Sequence, residues 1–195
     1  MIVLPTSPRP NRMDVDVLDF GTIQRGASSL RVNRPGGRHR ITFTWPTEIM
    51  RPPISSGFVA LLKRGKRQGV RIPVLLPRSQ PAAGSPVVNG AGQSGTTLSV
   101  RGFTPSYAIG QDFWFTIVDA SGVGYLHTVV EAATANGSGV ASLQIEPPLR
   151  APFADGAQVN ITAPFVEGDL VGESFSYGFD SLRQVPLTIT IEEQK

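Results

Sequence analysis

Short segments in which apolar and polar residues alternate recur along this chain of 195 residues. In RHRITFTWP, Ile41, Phe43 and Trp45 occupy every second position, with polar residues between them. A period of two residues places the two sets of side chains on opposite faces of a β-strand, whereas a helix repeats about every 3.6 residues. The alternation therefore predicts sheets that are apolar on one face and polar on the other.

Glycine and proline separate these segments. The 21 glycines and 17 prolines favour many short strands joined by tight turns. In the second half of the chain, turn signals at Ser121-Gly122, at residues 136–139 and at Asp155-Gly156 divide five predicted strands. Those strands are LSVRG, FWFTIVD, GYLHTVVEA, ASLQIEP and QVNITA. Five or six strands with this spacing are typical of a small closed barrel or sandwich.

The first part of the chain predicts a hairpin or meander and then a helix. The strand-like segments VDVLDFG and SSLRVNR and a turn at residues 35–37 precede RHRITFTWP, and GVRIPVLLP predicts a further strand. Between them, residues 54–67 have the pattern of a helix, with Ser55 or Ser56 as the N-cap and a basic end that complements the helix dipole. Its predicted apolar stripe consists of Phe58, Leu61 and Leu62.

Two long alternating segments, VEGDLVGESFSYGFDS and VPLTITIEEQ, predict strands at the end of the chain. The apolar face of the second needs a partner, and we expect RITFTWP to supply it. The predicted fold class is all-β with one short helix. Residues 1–78 and 165–195 form one domain from both chain ends, and a second β module is inserted at residues 79–164.

The net charge changes sign along the chain. Residues 1–80 contain 14 Lys or Arg against 4 Asp or Glu, whereas residues 81–195 contain 4 against 11. The linker-like segment RSQPAAGSP lies at the change and marks the domain boundary. This asymmetry favours head-to-tail contacts between copies or a basic surface facing nucleic acid, unless it reflects only two domains with different solvated faces.

The segment GAGQSG matches the G-x-G-x-x-G dinucleotide fingerprint, with Gly90, Gly92 and Gly95 in the glycine positions. That fingerprint requires a following helix whose N-terminus holds a pyrophosphate. Here the next residues, TTLSVRGF, alternate as a strand does. The segment therefore predicts a turn between two strands, and no cofactor is expected.

Few residues offer catalytic chemistry. The chain has no cysteine, and its two histidines, His39 and His127, lie in strand-like segments and are predicted to be partly buried and hydrogen-bonded. Neither H-E-x-x-H nor G-x-S-x-G occurs. Glu167, Asp169 and Glu173 are predicted to be exposed acids in turns. The sequence therefore predicts neither an enzyme nor a metal site.

The densest group of charges surrounds the end of the predicted helix. These basic residues could contact phosphates, facing nucleic acid, or form only the solvated end of the helix. Single-strand binders add stacking aromatics, which are missing around the cluster in the sequence. The aromatic run at residues 113–115 lies in the other module, and we predict that it packs in the core. The candidate residues are Lys63, Arg64, Lys66, Arg67 and Arg71.

No run of 18 apolar residues occurs, and the N-terminal sequence MIVLPTSPRPNR does not have the pattern of a signal peptide. We therefore expect a protein that is made in the cytoplasm and does not insert into a membrane.

An ordered set of short elements in the second module resembles the insertion found in tail proteins of tailed bacteriophages and gene-transfer agents. The set begins with the Val-Asn-Gly-Ala-Gly-Gln turn and ends with an Asp-Gly turn, and RHRITFTWPTEIM resembles the segment ahead of the helix. The matching elements are residues 88–93, 102–105, 110–112, 133–137, 145–150 and 155–156.

The resemblance implies a distal tail protein of a long, non-contractile tail. Such proteins have a split-barrel belt domain made from both chain ends and an inserted barrel of an oligonucleotide/oligosaccharide-binding (OB) or galectin-like kind. They form a hexameric ring, part of the virion, that joins the tail tube protein to the hub or tip of the baseplate. The basic residues named above would then face DNA in transit through the ring.

Two alternatives stay open. One is a tail-tip accessory protein with the same module that binds host-surface carbohydrate. The other is a cytoplasmic single-strand nucleic-acid binder with a barrel fold, whose affinity would fall steeply with salt.

Overall fold

The computed structural model describes residues 1–19, 22–24, 30–32 and 37–194. The chain is mostly β and divides into two compact units. The first comprises Met1–Asp16, Arg40–Pro77 and Phe165–Gln194, and the second comprises Val17–His39 and Arg78–Pro164. Most of SSLRVNR and of the predicted turn at 35–37 lies outside the described residues.

The described residues form sixteen strands, one α-helix and one 3-10 turn (Thr47–Ile49). The helix, α1, spans Ile54–Gln68. The strands are β1 (Ile2–Val3), β2 (Arg12–Leu18), β3 (Thr22–Gln24), β4 (Leu30–Val32), β5 (Arg38–Trp45), β6 (Val70–Pro73), β7 (Gly84–Val88), β8 (Gly95–Phe103), β9 (Ala108–Ile109), β10 (Trp114–Val118), β11 (Gly124–Val129), β12 (Ala133–Thr134), β13 (Ala141–Leu149), β14 (Gln158–Asn160), β15 (Phe165–Leu170) and β16 (Leu187–Glu193).

A six-stranded sheet brings the two ends of the chain together in the order β1-β6-β15-β16-β5-β2. Strand β16 pairs antiparallel with β5, so that Leu187 lies opposite Trp45 and Ile191 opposite Ile41. These apolar side chains are buried on one face. On the other face threonines pair across the strands, with 2.9 Å between the hydroxyls of residues 42 and 190. The predicted pairing of the last strand with RITFTWP is confirmed.

Helix α1 forms where predicted, but its N-cap differs. The cap residue is Pro53, without a side-chain hydrogen bond, and Ser55 lies buried within the first turn. The predicted serine cap is therefore wrong, because the helix begins one residue before the serines. Phe58 packs edge-on against Trp45, with 5.0 Å between ring centroids, and Leu62 is fully buried. The predicted amphipathic helix is confirmed, but Val59 is buried on its apolar face whereas Leu61 is only half-buried.

The long strand predicted over VEGDLVGESFSYGFDS is wrong beyond its first third. Strand β15 ends at Leu170, and residues 171–186, all described, form no further strand. Gly172 adopts a φ of +94°, and the Lys66 ammonium donates hydrogen bonds to the carbonyls of Leu170 and Gly172. A positive φ favours a turn over a strand at this point. The alternating aromatics that follow are not a sheet face.

The second unit contains a closed barrel in the order β10-β11-β13-β8-β7-β14. Leu98, Phe115, Ile117 and Leu143 are fully buried in its core. Residues 113–115 are all buried, as predicted. The GAGQSG segment joins β7 to β8, and its glycines have positive φ angles, so the predicted turn is also confirmed.

Candidate functional site

The histidines are buried in strands. His39 is 1% exposed and its ring lies 5.4 Å from that of Trp114, while His127 is fully buried with Nδ1 2.8 Å from the Pro147 carbonyl oxygen. Both lie in strands as predicted, more deeply than expected. Among the described residues, no group of three or more His, Asp or Glu side chains is arranged to hold a metal ion.

Two of the predicted turn acids, Glu167 and Asp169, lie instead in strand β15, where Asp169 is exposed, and Glu173 is exposed beyond the strand. Glu167 belongs to β15, its side chain is 3% exposed, and one of its carboxylate oxygens lies 2.7 Å from the Arg71 guanidinium. The prediction of an exposed turn acid is wrong at this position, because Glu167 lies opposite Arg71 in the β15–β6 register. A buried carboxylate requires such a partner.

The candidate basic residues divide into two groups. Lys63, Arg64 and Arg67 are exposed on α1. Lys66 is half-buried and bonds carbonyls at and just beyond the end of β15. Arg71 pairs with Glu167 and also lies over the ring of Phe165, 4.4 Å from its centroid. The last two side chains therefore hold the first unit together, whereas the three exposed ones are accessible to a charged ligand.

Aromatic rings lie beside the basic helix. The Lys63 ammonium is 4.8 Å from the centroid of the Tyr177 ring, a cation–π arrangement. Phe175 stacks on Tyr177 at 5.9 Å, and Phe179 meets Tyr177 edge-on at 5.7 Å. We call Phe175, Tyr177 and Phe179 the aromatic strip. The interpretation that aromatics are missing around the cluster is wrong, because these rings come from a distant part of the sequence.

A cavity of about 200 Å³ lies between α1 and the aromatic strip. Ser56, Ala60 and Lys63 line its helix side, and Tyr177 and Phe179 line the other. Ligand pockets for drug-sized molecules measure about 300–1,000 Å³. This cavity is therefore suited to one ring system rather than to a whole cofactor.

A second groove, of about 420 Å³, opens where β7 meets β14 in the barrel. The Val88 N–H and carbonyl bond to residues 157 and 156, in the turn just before β14. Pro86 lines the groove and, as a proline, has no N–H for a ladder bond. Ser85, Gln158 and Asn160 line the groove with neutral polar groups.

The turn between β7 and β8 is held by hydrogen bonds to one carboxylate. The Asp155 carboxylate accepts hydrogen bonds from the Arg101 guanidinium and, at 2.7 Å, from the N–H of Gly90. The hydrogen bond from Arg101 and then that from Gly90 lower the pKa of Asp155 to about 2. In a dinucleotide site these turn N–H groups would face a phosphate, and here a carboxylate of the same chain occupies one of them.

No family model matches this chain, and no curated protein matches it in sequence. Within the part of the chain that the structure describes, no helix is both long enough and apolar enough to cross a bilayer.

Proposed function

We propose that this chain is a structural protein of a long, non-contractile phage tail, forming a ring at the distal end between the tail tube and the hub or tip. The observation that carries the proposal is a sheet built from both chain ends with a closed barrel inserted between them. That arrangement agrees with the belt and inserted module implied by the resemblance. In this proposal the sheet-bearing unit is the belt, and the protein resides in the virion tail.

The sheet supplies a means of closing a ring. Among the described strands, β1 and β2 lie at its two ends, and each exposes a valine, Val3 and Val17. An edge strand presents unpaired backbone groups that can accept another strand. Contact between the β1 edge of one copy and the β2 edge of the next is head-to-tail, and such contacts repeat until the rotation closes.

The exposed cations of α1 suit a surface passed by DNA. Lys63, Arg64 and Arg67 form no ion pair with any described residue, so each is able to approach a phosphate. Nonspecific contact of this kind weakens as salt rises. In the proposed ring, three such residues in each copy would give weak contact that does not stop a moving duplex.

The test is the mass of the purified protein by size exclusion with light scattering, followed by negative-stain electron microscopy of the same fraction. Closed rings of six copies are expected. A monomer at all concentrations, which also fails to form rings when mixed with tail tube and hub proteins, would contradict the proposal.

A second candidate is a tail-tip accessory protein that binds host-surface carbohydrate. The groove between β7 and β14 favours it, because hydroxyl and amide groups such as those of Ser85, Gln158 and Asn160 are suitable partners for sugar hydroxyls. A glycan array tests this candidate. Selective binding that is lost on Asn160→Ala would support it, and an empty array would contradict it.

A further inference from the structure

The aromatic strip is an unusual surface that the proposed ring does not explain. Tyr177 is 36% exposed and Phe179 is 68% exposed, and the two rings are in contact with each other. Isolated exposed apolar residues are common, but exposed aromatics grouped beside a cavity mark a binding site. A ligand that fits this surface needs a planar group to stack on the aromatic rings and a negative charge to contact the neighbouring helix.

The exposed cations of α1 lie on the side of the helix that adjoins the cavity and the aromatic strip. Lys63 lines the cavity and contacts the Tyr177 ring, and Arg67 follows one helical turn later on the same face. Arg64 is four residues after Ala60, which also lines the cavity. Positive side chains therefore continue from the aromatic strip along the helix, as a row of phosphates would require.

The two carboxylates of the segment that carries the aromatic strip do not neutralise the positive charge of α1. The Asp180 carboxylate accepts the backbone N–H of Gln184 at 2.6 Å and closes a local turn. Glu173 is exposed and forms no ion pair with a described residue. Three exposed cations against these two acids leave a positive surface beside the rings, and this favours a polyanion over an apolar protein partner.

We propose that this surface binds single-stranded nucleic acid, with bases stacked on Phe179 and Tyr177 and phosphates on Lys63, Arg64 and Arg67. Base stacking on aromatic rings beside a basic groove is how single strands are bound without sequence readout. A duplex cannot bind in this way, since its bases are stacked on one another. The inference does not depend on assembly of the proposed ring of subunits, and a monomeric protein would bind in the same way.

The experiment is fluorescence anisotropy of the full chain with a labelled oligothymidine of about 16 nucleotides, the upper end of known site sizes. A duplex of the same length and free thymidine monophosphate are the competitors. We expect the duplex to compete at least tenfold more weakly than the unlabelled single strand. The mononucleotide is also expected to compete weakly, because it reaches one ring and one cation. A mononucleotide that competes as well as the strand would overturn the proposal in favour of a nucleotide site.

Substitutions of the aromatic residues distinguish base stacking from general apolar contact. Phe179→Ala and Tyr177→Ala are each expected to weaken single-strand binding by about tenfold, within the range for loss of one stacked base. Leu182→Ala is the matched control, because Leu182 lies in the same segment and is 67% exposed but has no ring. Phe179→Trp should keep the affinity. Bases stacked on this exposed indole should quench its fluorescence. Trp45 and Trp114 are buried, so their fluorescence should not change on binding.

Charge variants test the phosphate contacts. Arg64→Ala should reduce the slope of log affinity against log salt by about 0.7, the value for one phosphate contact on a single strand. Arg9→Ala removes the same charge from an exposed position outside α1 and should leave the slope unchanged. Equal binding of duplex and single strand with no effect of the ring variants, or no binding at all, would overturn the proposal. So would loss of self-association in Phe179→Ala without loss of binding.

Discussion

At the scale of single residues, Asp155 shows how one carboxylate can hold a glycine-rich turn. Its two oxygens accept hydrogen bonds from Arg101, and one of them also accepts the Gly90 N–H, while half of the side chain is exposed to solvent. These bonds favour the ionised form and lower its pKa from 3.8 to about 2. Exposed ion pairs contribute little individually, so the effect on stability is small and is best detected by its pH dependence.

Asp155→Asn should remove a pH-dependent contribution to stability. In the folded protein Asp155 stays ionised down to about pH 2, whereas in the unfolded chain it protonates near its ordinary pKa of 3.8. The stabilisation is therefore present above that value and is lost as the pH falls toward 2. The measurement is the free energy of unfolding of both proteins between pH 2 and pH 6. A difference between them that stays constant over this range would contradict the assignment.

At the scale of elements, two glycines of α1 are in opposite surroundings. A Cβ added at Gly57 meets nothing within 4 Å, whereas one at Gly65 would lie 2.3 Å from a methyl carbon of Val70. Val70 is fully buried and its β-branched side chain has little freedom to move. The helix therefore approaches β6 closely at one glycine and faces solvent at the other.

Alanine at these two positions should change stability in opposite directions. Gly57→Ala is expected to stabilise the protein by about 0.5–1 kcal/mol, because it reduces the freedom of the unfolded chain. Gly65→Ala is expected to destabilise it by about 1–3 kcal/mol through overpacking. Urea unfolding followed by circular dichroism measures both, and each variant is a control for the other. A shift of the two midpoints in the same direction would argue against the close contact with Val70.

The elements that the sequence predicts well are those with a regular period and a buried face. Strand β16, helix α1 and the barrel strands follow from local patterns, and the pairing of β16 with β5 follows from the need to cover an apolar face. The segment after Leu170 has the same alternation, but its aromatic side chains contact one another and Lys63 instead of a sheet partner. Alternation alone does not show whether a neighbouring strand exists.

The candidate site is less predictable than the fold, because its two halves are far apart in the chain. Lys63 and Tyr177 lie next to each other only after β15 and β16 have joined the sheet that carries α1. Likewise, Arg71 belongs to the basic cluster in the sequence but pairs with Glu167 through the β6–β15 register. The local composition of the sequence is enough to predict a basic cluster. Which of its charges are exposed and which are paired depends on the strand topology.

At the scale of the whole molecule, the position of β16 decides which variants can test assembly. Removing residues 186–195 should sharply reduce formation of the proposed ring, but β16 lies inside the sheet between β15 and β5. Its deletion would leave the backbone edges of both neighbours unpaired and would remove the buried side chains of β16, so lost rings would report lost folding. Substitutions of the exposed residues on the outer strands are the informative ones.

Val3→Asp and Val17→Asp should each prevent ring formation without unfolding the protein. These side chains are 62% and 60% exposed, so their replacement removes no core contact, but a charge on a sheet edge opposes strand addition. Val130→Asp, at an exposed position just after barrel strand β11, is the control and should still form rings. Light scattering gives the masses, and thermal unfolding verifies the fold of each variant.

An equimolar mixture of the two edge variants distinguishes the proposed contact from its alternatives. If β1 of one copy meets β2 of the next, the intact β1 edge of Val17→Asp can bind the intact β2 edge of Val3→Asp. Both remaining edges of that pair carry the new charge, so growth stops and the mixture should contain dimers although each variant alone is monomeric. A contact of β2 with β2 would instead let Val3→Asp dimerise by itself, because an isologous interface uses the same surface on both copies. Rings in every sample would place the subunit interface elsewhere on the molecule.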